Sequence, residues 1–172
     1  MKKFNLNSTV SNKLTRKEIK QICLLKDKHW KFGIKQQIKW FKSNIKKFDI
    51  HNLFFVNSKL IGYTLLAKRT CEIKNLNKKT QYLLFANLII DKKYRDTKLS
   101  NLLMAFNNTI IKQSGYFSFL ICKKEFLNFY KKNKWVIINN LNINIKDHSF
   151  STCGMLFNNK NKRSKYNFYL HK

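Results

Sequence analysis

Apolar and polar residues alternate from Phe4 to Val10, where Phe4, Leu6, Thr9 and Val10 stand among Asn and Ser; the pattern predicts a first strand. Thr15-Arg16-Lys17-Glu18 has the form of a capping box, a hydroxyl followed three residues later by Glu, and Ile19, Ile22, Cys23 and Leu25 continue at helical spacing. A second helix is predicted where Ile34, Ile38, Phe41 and Ile45 recur every three to four residues, with Gly33 marking the break before it. The period then changes. Leu53–Val56, the turn Asn57-Ser58-Lys59 and Leu60–Leu66 read as a hairpin, and after a polar turn at 75–80 the run Tyr82–Ile90 reads as a central strand buried on both faces. Leu99, Leu102, Leu103, Phe106 and Ile110 form one helical stripe that ends near Gly115. A short strand at 116–122, a short helix at 124–132 and late strands at 135–138 and 155–157 follow, and 158–165 reads as a basic loop or tail. Helices alternate with strands around a meander, so the sheet is expected to be mixed within an α/β fold.

A chain of 172 residues is long enough for one domain with its own core, and 44% hydrophobic and 15% aromatic residues is a folding composition. The expected organisation is one domain over residues 1–172, with 158–172 as a basic extension. No run of about 18 apolar residues is present, so no membrane span is expected. The start, Met1-Lys2-Lys3-Phe4-Asn5, lacks the apolar run of a signal peptide, and a cytoplasmic location is the expectation. Cys23, Cys71, Cys122 and Cys153 are scattered without metal-ligand spacing; they are expected to be reduced core residues, and no metal is expected.

The charge changes the picture more. Thirty-six Lys and Arg oppose eight Asp and Glu, a formal +28. Such a surface attracts anions, nucleic acid among them. Only four of the cations are Arg, however, and an abundance of Asn, Ile and Lys without Pro points equally to a compositional bias of the genome. Both readings stay open.

The segment Leu88-Ile89-Ile90-Asp91-Lys92-Lys93-Tyr94-Arg95-Asp96-Thr97-Lys98-Leu99-Ser100 runs from a buried strand through a basic turn into a strong helix. A helix start there offers backbone N–H groups and a dipole suited to phosphate. The segment resembles the acetyl-CoA signature of the GNAT (GCN5-related N-acetyltransferase) superfamily, Arg/Gln-x-x-Gly-x-Gly/Ala. Arg95 matches its first residue, whereas Lys98 and Ser100 stand at the small-residue positions. A side chain at Lys98 is expected to be accommodated because a helical start has negative φ. Asn128-Phe129-Tyr130 through Trp135 resembles the family's FY-x-x-x-G-F segment, and Leu60-Ile61-Gly62-Tyr63 its hairpin strand. The resemblance covers roughly residues 14–138.

The resemblance implies a mixed, mostly antiparallel sheet of about six to seven strands, splayed between the fourth and fifth, flanked by about four helices. It implies an N-acetyltransferase that binds acetyl-CoA as cosubstrate beside that splay and transfers the acyl group directly to an amine. Leu88, Ile89, Ile90, Arg95, Asp96, Thr97, Lys98, Leu99, Ser100 and Asn128 would hold the cosubstrate. Tyr130 would be the acid for the departing thiolate, against the alternative of a packed aromatic. Many relatives carry a Glu near Phe85-Ala86-Asn87; this chain has none there, and no base is assigned. Asn87 is placed to hold a water, and His51 and Glu72 are remote candidates.

In such a fold the acceptor site is built from the first two helices, their connection and the late strands. Here these supply His29-Trp30-Lys31-Phe32-Gly33, Trp40 and Lys146-Asp147-His148-Ser149, with Trp30, Phe32, His51 and Asn87 as the substrate-binding candidates. His51 is open to a structural role and Trp40 to the core. The stretch 49–69 is faintly similar to the corresponding hairpin of aminoglycoside 2'-N-acetyltransferases, which favours an amino sugar, free or nucleotide-linked. The rival is an RNA- or ribosome-associated protein that acetylates aminoacyl-tRNA or protein, or only binds. A monomer or a homodimer is expected.

Overall fold

The computed structural model describes residues 3–145, 153–160 and 164–170, with the side chains of Asp96, Thr97 and Asn140 outside the description. Among the described residues nine strands and four α-helices follow one another: β1 (Phe4–Val10), α1 (Arg16–Trp30), α2 (Ile34–Asn44), β2 (Ile50–Val56), β3 (Lys59–Ile73), β4 (Lys78–Ile90), α3 (Leu99–Ser114), β5 (Ser118–Cys122), α4 (Leu127–Lys132), β6 (Val136–Ile137), β7 (Ile143–Ile145), β8 (Cys153–Phe157) and β9 (Tyr166–Phe168). The sheet runs β1-β2-β3-β4-β5-β8-β6, with β9 pairing β3 and β7. β1–β2 and β2–β3 are antiparallel, whereas β4 and β5 are parallel. That parallel pair is registered only at Leu83–Ser118 and Leu84–Phe119, although β5 runs on to Cys122. The expected splay is this early end to the pairing.

The chain divides into two compact units, residues 1–67 with 86–107, and residues 68–85 with 108–172. In the first unit the capping box forms as read: Thr15 Oγ1 accepts from the Glu18 amide, and Glu18 Oε2 accepts from the Thr15 amide. The core gathers Phe54, Val56, Ile61, Ile90 and Leu103. Gly62 lets these layers close, because a Cβ there would meet Ile90 Cδ1 at 2.8 Å and Phe54 Cβ at 3.1 Å. On α3 the apolar stripe is only partly the buried face. Leu103, Met104, Asn107 and Ile111 are fully buried and Leu102 is exposed. Asn107 is inside because its amide joins Asn52 and Thr64 in a hydrogen-bonded cluster.

The second unit is packed by aromatic rings. Phe119 and Phe168 stack at 3.9 Å, Tyr82 meets Phe168 edge-on at 4.9 Å, and Tyr166 stacks on Phe168 at 5.3 Å. The stretch read as a basic tail therefore contributes to a core. Tyr166–Phe168 pair with Ile73–Cys71, and the alternation of Tyr166 and Phe168 inward outweighs the Lys and Asn around them. β7 and β9 are too short to announce themselves in the sequence. All four cysteines are free, three buried and Cys153 half-buried. Among the described residues no helix is long and apolar enough to cross a membrane, and no cluster of metal-ligating side chains occurs.

His51 belongs to the core of the first unit. It is fully buried, with Nδ1 bonded to the Tyr63 hydroxyl at 2.9 Å and Nε2 to Ser11 Oγ at 2.8 Å, and its ring stacks on Phe41. Burial, aided by the charge of Lys26, lowers its pKa to about 4, so the folded protein holds it neutral. In the unfolded chain it takes up a proton near pH 6.5. Its contribution is therefore present above pH 6.5 and lost as the pH falls toward 4, by about 3 kcal/mol at roughly 1.4 kcal/mol per unit. Urea unfolding at pH 7 and pH 4.5 should show a clearly smaller acid-induced loss for His51→Phe than for the wild type; equal losses would mean that His51 is not the titrating group.

Candidate active site

β4 ends at Ile90, and Asp91 anchors the exit. Its amide donates to the Ile61 carbonyl at 2.7 Å, and its carboxylate accepts from Lys28 Nζ at 3.1 Å and from the Lys93 amide at 3.2 Å. Burial alone would raise this carboxyl. The Lys28 and Lys93 hydrogen bonds and the charges of Lys28 and Lys59 outweigh it and hold the group below its ordinary value. A tight 3-10 turn, Lys92–Thr97, then carries the chain to Lys98, whose carbonyl accepts from the Asn101 amide at 3.0 Å and starts α3. No acid stands in the first turn of either element, and the turn leading to the orphan N–H groups of α3 carries Lys92, Lys93, Arg95 and Lys98 beside one acid, Asp96.

Arg95 is folded back on this exit. Nε donates to the Ile90 carbonyl at 3.2 Å, and a terminal nitrogen meets His29 Nδ1 at 3.0 Å. Burial and the charges of Arg95 and Lys92 lower the His29 pKa, which keeps the ring able to accept that bond. These groups line a small cavity of about 210 Å³ with Leu25, Lys28 and Ile89. Ile89 and Ile90 are buried, and Leu88 packs against the core of the first unit.

A larger cavity of about 490 Å³ lies in the same unit. The connection between α1 and α2 forms one side of it. Lys31 closes α1 in the left-handed conformation, Gly33 opens α2 at φ 87°, and Asp27 Oδ1 clamps the turn by accepting from the Gly33 amide at 2.6 Å. Trp30, Phe32 and Trp40 line the space and remain partly exposed. Asn87 lines it from β4, where it takes φ 60° in mid-strand, and its Nδ2 is buried without a partner. Lys26 and Gln37 also line it, each only 3% exposed. Lys26 Nζ sits 3.3 Å from the Trp40 ring centre and 5.8 Å from that of Trp30, and burial lowers its pKa to about 8.

In the second unit, Tyr130 on α4 is half-buried among Phe85, Phe129 and Trp135, all met edge-on or tilted at 5.2 to 6.3 Å. Trp135 is fixed in turn by its indole N–H to Asn108 at 3.1 Å. Among the described residues the Tyr130 hydroxyl makes no hydrogen bond. Burial, and the nearby Cys122, push its pKa well above the usual phenol value, so it keeps its proton throughout the neutral range. Asn128 is exposed on the same short helix.

No protein-family model matches the sequence, and no curated protein matches it. Solved structures do. A GNAT family N-acetyltransferase from Escherichia coli in complex with CoA superposes with a TM-score of 0.68 at 12% identity, covering 98% of this chain and 92% of that one. An acyl-CoA N-acyltransferase from Pseudomonas aeruginosa gives 0.65 at 12% identity over 90% and 99% of the two chains. An aminoglycoside 6'-N-acetyltransferase complexed with coenzyme A gives 0.59 at 10% identity over 88% and 96%. The chain has the GNAT fold.

Within the GNAT fold the candidate residues fall into groups. Trp30, Phe32 and Asn87 come together at the large cavity. His51 does not join them, because it is sealed in the core. Lys146–Ser149 lie outside the described residues, as do the side chains of Asp96 and Thr97. Trp40, named for the acceptor site and open to a core role, lines the cavity and is exposed, whereas Lys26 and Gln37 are not among the sequence candidates. The signal for the latter two was a polar residue on an apolar stripe: Lys26 follows Ile22 and Cys23 by four and three, and Gln37 precedes Phe41 by four. Glu72 is in the other unit, bonded to Asn167 and paired with Lys79.

One expectation is corrected. Lys98 does not have the negative φ of a helical start; it adopts φ 57° and ψ 8°. The reason is the reversal from the 3-10 turn into α3, which Lys98 closes as a left-handed C-cap. A side chain in that conformation costs about 1 kcal/mol. Lys98→Gly should stabilise the protein by about 0.5–1 kcal/mol in urea unfolding, whereas Lys98→Ala should give no gain; an equal gain from both would trace the effect to charge instead of backbone.

Proposed function

We propose that the chain is an acetyl-CoA-dependent N-acetyltransferase acting on a primary amine of a small molecule. The observation that carries this is the β4–α3 junction. It reverses the chain through a left-handed Lys98 into α3, whose first turn holds no acid, and it carries Lys92, Lys93, Arg95 and Lys98. This donor set fits a pyrophosphate, and two of the fold's solved neighbours contain CoA. Acetyl-CoA supplies, when bound, a thioester that an amine attacks directly. Arg95 and Lys98, with the first amides of α3, would hold its phosphate oxygens.

Tyr130 is the proposed acid. Among the described residues its hydroxyl has no hydrogen-bond partner, and it keeps its proton at neutral pH, the state required to protonate a departing thiolate. The volume and the aromatic walls of the larger cavity suit a small acceptor. An amino sugar remains within this reading, and the walls support it over an RNA-binding role, which needs an extended basic groove with stacking platforms instead.

Two measurements test the proposal. Calorimetry should detect acetyl-CoA binding that Arg95→Glu weakens at least tenfold, with a melting curve to exclude loss of fold; no binding at millimolar acetyl-CoA would remove the cosubstrate. Tyr130→Phe should lower turnover by about 10²–10⁴-fold with acetyl-CoA affinity nearly unchanged. Turnover within about threefold of wild type, worth about 0.7 kcal/mol, would take Tyr130 out of the mechanism.

A further inference from the structure

The lining of the larger cavity is one-sided in its chemistry. Lys26 is a cation with almost no exposure, and among the described residues it has no carboxylate partner, only the faces of Trp40 and Trp30. Gln37 Nε2 and Asn87 Nδ2 are buried donors without partners. No lining residue is acidic, and Lys39 adds a second cation at the rim. Buried donors and a buried cation are costly unless something accepts from them. Nothing in the cavity wall does so.

We infer that the acceptor is a primary amine that carries an anionic group, a carboxylate or a phosphate, which docks on Lys26, Gln37 and Asn87 while its body stacks on Trp30, Phe32 and Trp40. This deepens the acetyltransferase reading, on which it rests for the word acceptor; the anion site itself stands without it. A single anion would supply the partner that three groups lack, and an anion beside a desolvated ammonium is held more strongly than on the surface. The same lining excludes polycationic amines, such as polyamines and aminoglycosides, whose additional charges would face Lys26 and Lys39 with no acid to offset them. The anionic group also places its amine at a fixed distance from the protein, which orients it for attack.

The test uses the full chain and matched pairs of amines that differ only in the anion: an amino acid against its amide, an amino sugar phosphate against the free sugar. One arm follows thiol release with acetyl-CoA. The other follows quenching of tryptophan fluorescence by the same compounds without acetyl-CoA. Wild type should favour the anionic member of at least one pair by tenfold or more in kcat/KM and in Kd, and that pair tells carboxylate from phosphate. Lys26→Met should erase the preference mainly through KM and Kd. Gln37→Glu, which keeps the shape and adds a negative charge, should erase it as well and serves if Lys26→Met fails to fold. Thiol release without preference for the anion overturns the inference and leaves the acetyltransferase reading intact. Lys26-dependent anion binding without thiol release does the reverse. A preference for polycations, or one unchanged in Lys26→Met and Gln37→Glu, overturns the inference outright.

Discussion

Negative charge is the limiting component of this protein. Eight acids serve a chain with 36 bases, and most of those described are committed to backbone or structural contacts. Glu18 closes the capping box of α1, Asp27 clamps the turn into α2, Asp49 accepts from the Lys46 amide, Asp91 fixes the end of β4, and Glu72 holds Asn167 and Lys79. All but the Glu72 contacts satisfy backbone amides near the ends of elements and so set the path of the chain there. The cations are left to repel one another in water or, at Lys26, to be buried against aromatic faces.

This distribution explains why both candidate ligand sites of the first unit are electropositive without surface clusters of Arg. At the β4–α3 junction the only acid with a described side chain, Asp91, is turned toward Lys28 and the Lys93 amide, leaving the turn cationic. At the larger cavity no acid lines the wall. A chain with ordinary acid content would have neutralised one or both.

Backbone conformations outside the ordinary regions mark both places. Asn87 interrupts β4 with φ 60°, and Lys98 reverses the chain ahead of α3 with φ 57°. Asn tolerates that region because its short polar side chain bonds locally; Lys does so only at a cost. Strained residues persist where the surrounding structure over-determines them. Here the Asp91 anchor on one side and the α3 hydrogen bonds on the other leave Lys98 no alternative path.

The sequence by itself determined much of the fold. The capping box at Thr15, the stripe of α2, the hairpin through Gly62 and the apolar run of β4 are local patterns whose period dictates the element, and their order is that of the GNAT fold. It also located the β4–α3 turn, because a strand, a basic turn and a helix are legible one after another. It missed β7 and β9, which are three residues each and exist only through their partners. It misread Lys98, since residue type does not reveal a left-handed turn forced by the elements on either side. His51 and Lys26 show the same limit. Each is an ordinary polar residue in the chain, and only the packing of Phe41 and Tyr63 around one, and of Trp40 around the other, decides that they are buried. Burial is a property of neighbours distant in sequence, and with it come the lowered pKa values and the unpaired donors from which a ligand's charge can be argued.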